Sequence, residues 1–218
     1  MNQTLPKIDE MLRMPSPAPT PFGLAYDGEL LWMASRETDR LYAIEPKNWT
    51  VREEAQLPGK PAGIAILGDQ LRLILGFDDD DDRYIYRFIP SHGLKSERLP
   101  CPDLTGGHLA YDGDTLFLSQ AAFSRILALD AQGAVLHSIP LPRVPLGMTI
   151  VEGCFYLITS NNDRGDLRIT RVDARGNDPI VTDLARVPFD VRSLTYDGSR
   201  FWTSHRKNNQ IVAFEVTR

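Results

Sequence analysis

Basic side chains in short polar segments are the residues of this sequence best suited to chemistry. They recur between apolar runs, where loops are expected, and a polar amide occurs in a comparable segment. These candidate ligand-binding residues are Arg36, Arg143, Arg192, Arg206, Lys60 and Gln120. A guanidinium presents a planar fork of donors that fits a carboxylate or a phosphate. If the fold brings these segments together, they predict a binding site for a small anion.

A catalytic function would need a general base and a group that orients it. His108 and His205 fall in the same class of segment, and Asp190 is an acidic candidate nearby. Histidine titrates near neutral pH, so either ring could act as a general base. A histidine in a loop is more often a hydrogen-bonding residue, and both interpretations stay open. The sequence contains no nucleophile elbow, phosphate loop or zinc-ligand spacing.

Two segments could hold a divalent cation. Asn161 and Asp163 are spaced well enough for calcium, but asparagine and aspartate are also frequent turn residues. Five consecutive aspartates at positions 78–82 lack the spaced ligands and the glycine of a calcium loop, which favours a solvated acidic loop. We therefore expect no metal ion and no other cofactor, with calcium as the cation to test.

A repeated pattern organises the whole chain. Glycines follow short apolar runs at positions 28, 68, 113, 153 and 198, with spacings of 40, 45, 40 and 45 residues. Such a period, with several short strands in each unit, is typical of propeller blades. We predict an all-β fold, a five-bladed β-propeller with four-stranded antiparallel blades. A β-sandwich is the alternative, but it gives no reason for a fixed period.

The two ends of the chain are predicted to share one blade. Each outer strand ends in an apolar residue followed by proline, which suits an edge because proline cannot donate to a sheet ladder. These prolines are Pro15, Pro58, Pro100, Pro142 and Pro188. The fifth repeat reaches Arg218 without an outer strand, so residues 8–14 would supply it and close the ring. We therefore predict one domain over residues 1–218.

The loop register selects one face of the ring as the binding face. If strands A to D run from the axis to the rim, the B–C and D–A loops share one face, at the mouth of the central channel. We call this the channel-mouth face. Blades two and four carry 4 and 3 extra residues in the B–C loop. Insertions confined to one face indicate a binding face. All the basic, histidine and metal candidates map to it.

Composition excludes several classes of partner. The formal net charge is −5, without the basic excess of a nucleic-acid-binding protein. No apolar run approaches the ~20 residues of a membrane helix, and the first residues lack the features of a signal peptide. We expect a cytoplasmic protein whose partner is a small molecule or a protein, with neither nucleic acid nor membrane. The pattern carries no signal for an oligomeric state.

The segment Pro-Phe-Gly-Leu-Ala-Tyr-Asp-Gly at positions 21–28 resembles the blade motif of calcium-dependent gluconolactonase-like hydrolases. Their motif reads Pro-Asn-Gly-Leu-Ala before an Asp-Gly turn, and the asparagine can be a metal ligand. The corresponding positions in the five repeats are Phe22, Ala62, Gly107, Gly147 and Arg192. None is asparagine, and that family has six blades, so the resemblance carries over no ligand set.

The same segment resembles the five-bladed glutamine cyclotransferases of the plant and bacterial type, which are closer in length. Their active site relies on a Glu-Gly-Leu segment, where this chain has Phe22-Gly23-Leu24. The resemblance implies the fold, and the role of the glutamate is not carried over. Two functions follow. One is non-catalytic binding of a small, anionic ligand or a protein at the channel-mouth face. The alternative is a hydrolase or cyclotransferase-like enzyme at the same mouth, with or without a metal.

Overall fold

The structure is a computed structural model that describes residues 5–77, 82–161, 165–176 and 178–216. Its strands form five antiparallel sheets of four strands each. The innermost strands of neighbouring blades contact one another around the ring, and the fifth contacts the first. The predicted five-bladed β-propeller is therefore confirmed. Among the described residues, no helix has the length and apolar character needed to cross a bilayer.

The strands are numbered along the chain, starting with β1 (Asp9–Pro15). Blade one contains β2 (Pro21–Tyr26), β3 (Leu31–Ser35), β4 (Arg40–Glu45) and β5 (Thr50–Gln56). Blade two contains β6 (Lys60–Leu67), β7 (Gln70–Phe77), β8 (Asp82–Ile89) and β9 (Gly93–Pro100). Blade three contains β10 (His108–Tyr111), β11 (Leu116–Gln120), β12 (Arg125–Leu129) and β13 (Val135–Pro140). Blade four contains β14 (Val144–Val151), β15 (Cys154–Ser160), β16 (Arg168–Asp173) and β17 (Ile180–Arg186). Blade five contains β18 (Val191–Tyr196), β19 (Phe201–His205), β20 (Gln210–Glu215) and β1.

Strand β1 closes the ring as the sequence predicts. It pairs antiparallel with β20, from Asp9 opposite Glu215 to Pro15 opposite Gln210. The indole of Trp49, on the C–D turn of blade one, donates to the carbonyl of Pro15 at 2.7 Å. Ahead of β1, the Ile8 N–H donates to the carbonyl of Arg186 in blade four at 3.0 Å. The closing strand is thus bonded to blades four, five and one.

An aspartate explains the most regular part of the repeat. In blade one, Asp27 Oδ1 accepts the backbone N–H groups of Glu29 and Leu30 at 2.9 and 2.7 Å. Its Oδ2 accepts the indole N–H of Trp32 at 2.6 Å. One carboxylate therefore fixes the A–B turn and also satisfies the polar atom of a tryptophan buried between blades.

Blades five and three show that the two roles of this aspartate can be separated. Asp197 holds the turn and the Trp202 indole in blade five, where the indole donates at 2.7 Å. In blade three, Asp112 holds only the turn, because Phe117 stands where blades one and five have tryptophan. The turn is thus the common requirement in these three blades, and the indole bond is an addition in two of them.

Glycines bring the inner strands close together beside the channel mouth. A Cβ on Gly23 would lie 2.2 Å from the carbonyl oxygen of Ala62, and one on Gly63 would lie 2.6 Å from Cα of His108. Both distances are too short for a side chain. Blade one therefore packs directly on blade two, and blade two on blade three, which places Phe22 and His108 near the axis.

One correspondence between repeats differs from the sequence prediction. Met148 pairs with Leu157 in blade four as Leu24 pairs with Met33 in blade one. Leu146, and not Gly147, therefore corresponds to Phe22. The turn glycine of blade four, Gly153, takes a different position in its A–B turn from that of the turn glycine in blade one. Counting back from Gly153 therefore shifts the alignment by one residue.

Candidate functional site

Side chains from three blades converge on the ring of Phe22 at the channel-mouth face. The guanidinium carbons of Arg36 and Arg206 lie 5.1 and 5.2 Å from its centroid. The imidazole of His108 stacks on it with centroids 5.9 Å apart and an interplanar angle of 5°. We call Phe22, Arg36, His108 and Arg206 the mouth cluster. An aromatic face attracts cations, so the ring attracts the charges of both arginines.

Arg206 carries an unused donor in this cluster. It begins the short 3₁₀ turn Arg206–Asn208 after β19, which ends at Asn209 in the left-handed conformation with φ 53°. Its Nε is buried and has no hydrogen-bond acceptor among the residues that the structure describes. A buried donor without an acceptor is unfavourable. An oxyanion bound at the mouth would supply the missing acceptor.

His108 is a neutral ring in this environment. Burial lowers its pKa to about 3, and the positive charges of Arg192 and Arg83 act in the same direction. The backbone N–H of His108 donates to the Ser119 hydroxyl at 3.0 Å, which fixes the start of β10. An imidazole this weakly basic does not collect a proton near neutral pH. Its part in the cluster is to stack on Phe22.

Arg192 adds a buried positive charge beside the cluster. Only 7% of the residue is exposed, and its Nη1 donates to the carbonyl of Val191 at 2.6 Å. The same nitrogen lies 3.4 Å from Oδ1 of Asp190, whose carboxylate is half-exposed. After burial, the charge of Arg192 is the next cause that lowers the pKa of His108. Blade five thus supplies two of the positive groups at the mouth.

A cavity of about 370 Å³ opens on the same face. Its lining residues are Arg83, Thr105, Gly106, Gly107, Ala121, Ala122 and Val144. Gly107 directly precedes His108, and Arg83 donates to the carbonyl of Gly106. The cavity therefore adjoins the mouth cluster. Sequence reasoning missed Arg83 because the acidic run before it dominated the segment. The available signal was its place at the end of the predicted B–C loop of blade two, although the structure puts it in β8.

The opposite opening of the channel differs in character. It holds a cavity of about 210 Å³, and none of its described lining residues is charged. Tyr26, Tyr111 and Tyr196 border it, and their hydroxyls donate to glycine carbonyls of their own A–B turns at 2.8 to 2.9 Å. Positive charge is thus concentrated at the channel-mouth end.

Three other predicted ligand-binding residues lie outside the mouth cluster. Arg143 donates to the Thr159 hydroxyl at 3.2 Å and forms an ion pair with Asp166 in blade four. Gln120 is buried, and its amide donates to two carbonyls of the D–A loop before blade three, at 2.7 and 2.9 Å. Lys60 is exposed at the start of β6. Gln120 therefore positions the loop that lines the cavity.

The second histidine candidate faces the closing strand. The ring of His205 packs on Phe189 at 4.7 Å, and its Nδ1 lies 2.8 Å from Nη1 of Arg13 in β1. Burial lowers the pKa of His205, and the charge of Arg13 lowers it further. Within the described ranges, no hydrogen bond joins His108 or His205 to Asp190. The three catalytic candidates do not form a base with its orienting carboxylate in this structure.

The metal candidates are only partly described. Asn161 Oδ1 accepts the N–H groups of Gly165 and Asp166, both at 3.1 Å, and so acts as a turn former. Asp163 and positions 78–81 of the acidic run lie outside the described residues. In the part of the chain that is described, no group of three or more His, Cys, Asp or Glu side chains could hold a metal ion.

No protein-family model matches the chain, and no curated protein matches it at a significant level. The structure of Myxococcus xanthus glutaminyl cyclase matches with a TM-score of 0.73 at 11% identity, covering 99% of this chain and 100% of that one. The PQQ-bound aldose sugar dehydrogenase of Streptomyces coelicolor matches at 0.66 and 14%, over 98% and 100%. A streptogramin B lyase matches at 0.52 and 10%, over 94% and 97%. These matches show a similar fold. They confirm that the fold of this chain resembles that of glutamine cyclotransferase propellers.

Proposed function

We propose that this propeller binds a small anionic ligand at the channel-mouth face and does not transform it. The observation that carries the proposal is the pair of guanidiniums held over Phe22, with Nε of Arg206 lacking an acceptor among the residues described. Two guanidiniums at one opening can bind a carboxylate or a phosphate with several charge-assisted hydrogen bonds. The buried charge of Arg192 strengthens the attraction, since few water molecules screen it.

Binding is favoured over catalysis by the state of the two histidines. His108 is neutral and weakly basic, and His205 faces Arg13. An acid–base mechanism needs a base whose pKa lies near the working pH. The enzyme alternative draws on the fold shared with glutaminyl cyclase, and a fold hosts many functions.

The test compares the melting temperature of the protein in phosphate, citrate and succinate at constant ionic strength and pH. A ligand with a Kd of 0.1 mM, present at 10 mM, would stabilise the native state by ~2.7 kcal/mol. We expect at least one anion to exceed chloride clearly, and Arg206→Ala to abolish the gain. Lys207→Ala is the matched control, because Lys207 is exposed in the same turn and the charge change is identical.

Two results would contradict the proposal. The first is an equal effect of all anions, or a gain that survives in Arg206→Ala. The second is catalysis: if the wild-type protein cyclises a peptide with an N-terminal glutamine, and His108→Gln does not, the site is an enzyme's active site. Both measurements use the full chain.

A further inference from the structure

Two arginines face each other on blade two, away from the channel mouth. Arg72 on β7 is the direct cross-strand partner of Arg87 on β8. Ile74 and Ile85, two residues further along each strand, form the next-but-one pair and belong to the core between blades two and three. Side chains alternate along a strand, so both arginines lie on this inter-blade side. Arg72 also pairs with Ala65 of β6. Ala65 lines the uncharged end of the channel, so the arginine pair lies near that end.

This pair is unfavourable in the free protein. Like charges directly opposite each other on adjacent strands repel. Nη1 of Arg72 is buried and has no hydrogen-bond partner within the described ranges. The pKa of Arg72 is lowered by burial and then by the charge of Arg87. Among the described residues, no carboxylate lies within ion-pair distance of either guanidinium. The fold therefore keeps two neighbouring positive charges without a counterion in the part of the chain that the structure describes.

The two guanidiniums border a cleft of about 300 Å³. Its lining residues are Arg72, Ile85, Arg87, Glu97, Arg98 and Leu99. Ile85 and Leu99 give it an apolar wall, since both pack in the core between blades two and three. Arg98 is already engaged, with its guanidinium 4.1 Å from the ring centroid of Tyr84 and a hydrogen bond to Tyr86. The volume is at the lower end of the range for small-ligand sites.

We propose that this cleft is a second binding site, for a small molecule with one oxyanion group and a short apolar body. The anionic group would lie between Arg72 and Arg87 and provide the counterion that the described residues do not supply. The apolar body would lie against Ile85 and Leu99. The carboxylate of Glu97 at the same cleft disfavours ligands with several negative charges. Carboxylates and phosphate monoesters share the required chemistry.

The test measures binding by isothermal titration in the Arg206→Ala background, which removes the donor on which the channel-mouth site depends. The probes are butyrate, propyl phosphate and inorganic phosphate. Butylammonium, a cation with a similar apolar chain, is the control for the charge of the probe. We expect butyrate or propyl phosphate to bind at one site, and to bind more tightly than inorganic phosphate. Arg72→Met and Arg87→Met should each weaken binding by at least tenfold. Arg52→Met is the matched control, because Arg52 is an exposed arginine on β5 paired with Glu45.

A second readout separates a ligand site from a structural role. Methionine keeps an apolar stem and removes the unpaired charge, so Arg72→Met without ligand should melt at the wild-type temperature or above it. Absence of binding by all three anions would overturn the proposal, as would binding by Arg72→Met and Arg87→Met as tight as that of the Arg206→Ala protein without either substitution. A melting temperature several degrees lower in Arg72→Met would also overturn it. Since Arg87 is exposed, Arg87→Met provides a folded variant in either case. Whether the channel mouth binds anions does not affect this result.

Discussion

Asp27 and Asp112 make it possible to measure what a single indole hydrogen bond contributes to this propeller. Both aspartates are exposed, and both accept two backbone N–H groups of an A–B turn. Only Asp27 also accepts the indole N–H of a buried tryptophan, Trp32. The substitution Asp112→Ala therefore removes the turn bonds alone, whereas Asp27→Ala removes the turn bonds and the indole bond.

The expected free energies of unfolding differ accordingly. Losing two bonds to an exposed carboxylate should destabilise the protein by about 1–2 kcal/mol, because water can replace the acceptor. Asp27→Ala also leaves the Trp32 N–H buried without an acceptor, which costs about 1–3 kcal/mol more. We therefore expect a loss of about 2–5 kcal/mol for Asp27→Ala, measured by urea denaturation.

A double-mutant cycle tests the cause. In a Trp32→Phe background no indole remains, so Asp27→Ala should then cost only as much as Asp112→Ala does in the wild type. The reasoning fails if Asp27→Ala and Asp112→Ala are equal in the wild type. It also fails if Trp32→Phe leaves the effect of Asp27→Ala unchanged.

Three further outcomes are expected. Deleting residues 1–14 should cause insolubility or a large loss of stability, because β20 becomes an open edge; a cooperative melt near the wild-type temperature would refute the closure. Acid should destabilise the wild type between pH 6.5 and about 3 by up to ~1.4 kcal/mol per pH unit through His108, whose folded pKa lies below its unfolded value. His108→Phe should show a shallower loss over that window in pH-dependent melts, and an identical loss would contradict it. Calcium at 1 mM should raise the melting temperature little, since a micromolar site would give ~4 kcal/mol; a large shift lost in Asn161→Ala would argue for a metal.

The fold could be predicted from the sequence because each blade repeats a local requirement. The glycine of the A–B turn and the proline after the outer strand each meet a need of the backbone at one place in every repeat, and an aspartate holds the turn in blades one, three and five. The glycine and the proline therefore recur every 40 to 46 residues even where the core residues vary. The same register placed Arg36 and Arg206 on one face, since a loop's face depends only on the strands it joins.

Side-chain direction could not be predicted in the same way. His205 and Arg13 are 192 positions apart and meet only because the ring closes. Arg143 is engaged by Asp166 of a neighbouring loop, which the repeat does not indicate. Arg72 and Arg87 escaped notice because the exact pairing of β7 with β8, and not the spacing of the blades, sets them opposite each other.

The antiparallel pairing of β1 with β20 has a mechanical consequence. Asp9 and Glu215 form the last pair at one end of this ladder, so the preceding and following segments leave the blade side by side. A pulling force between the two ends would first load the hydrogen bonds that join Pro6 and Ile8 to Arg186 and would then separate β1 from β20 pair by pair. Hydrogen bonds that break in succession resist far less force than bonds sheared together. At equilibrium several blades hold the ring closed at once. Under tension it would instead open by the successive separation of the pairs between β1 and β20.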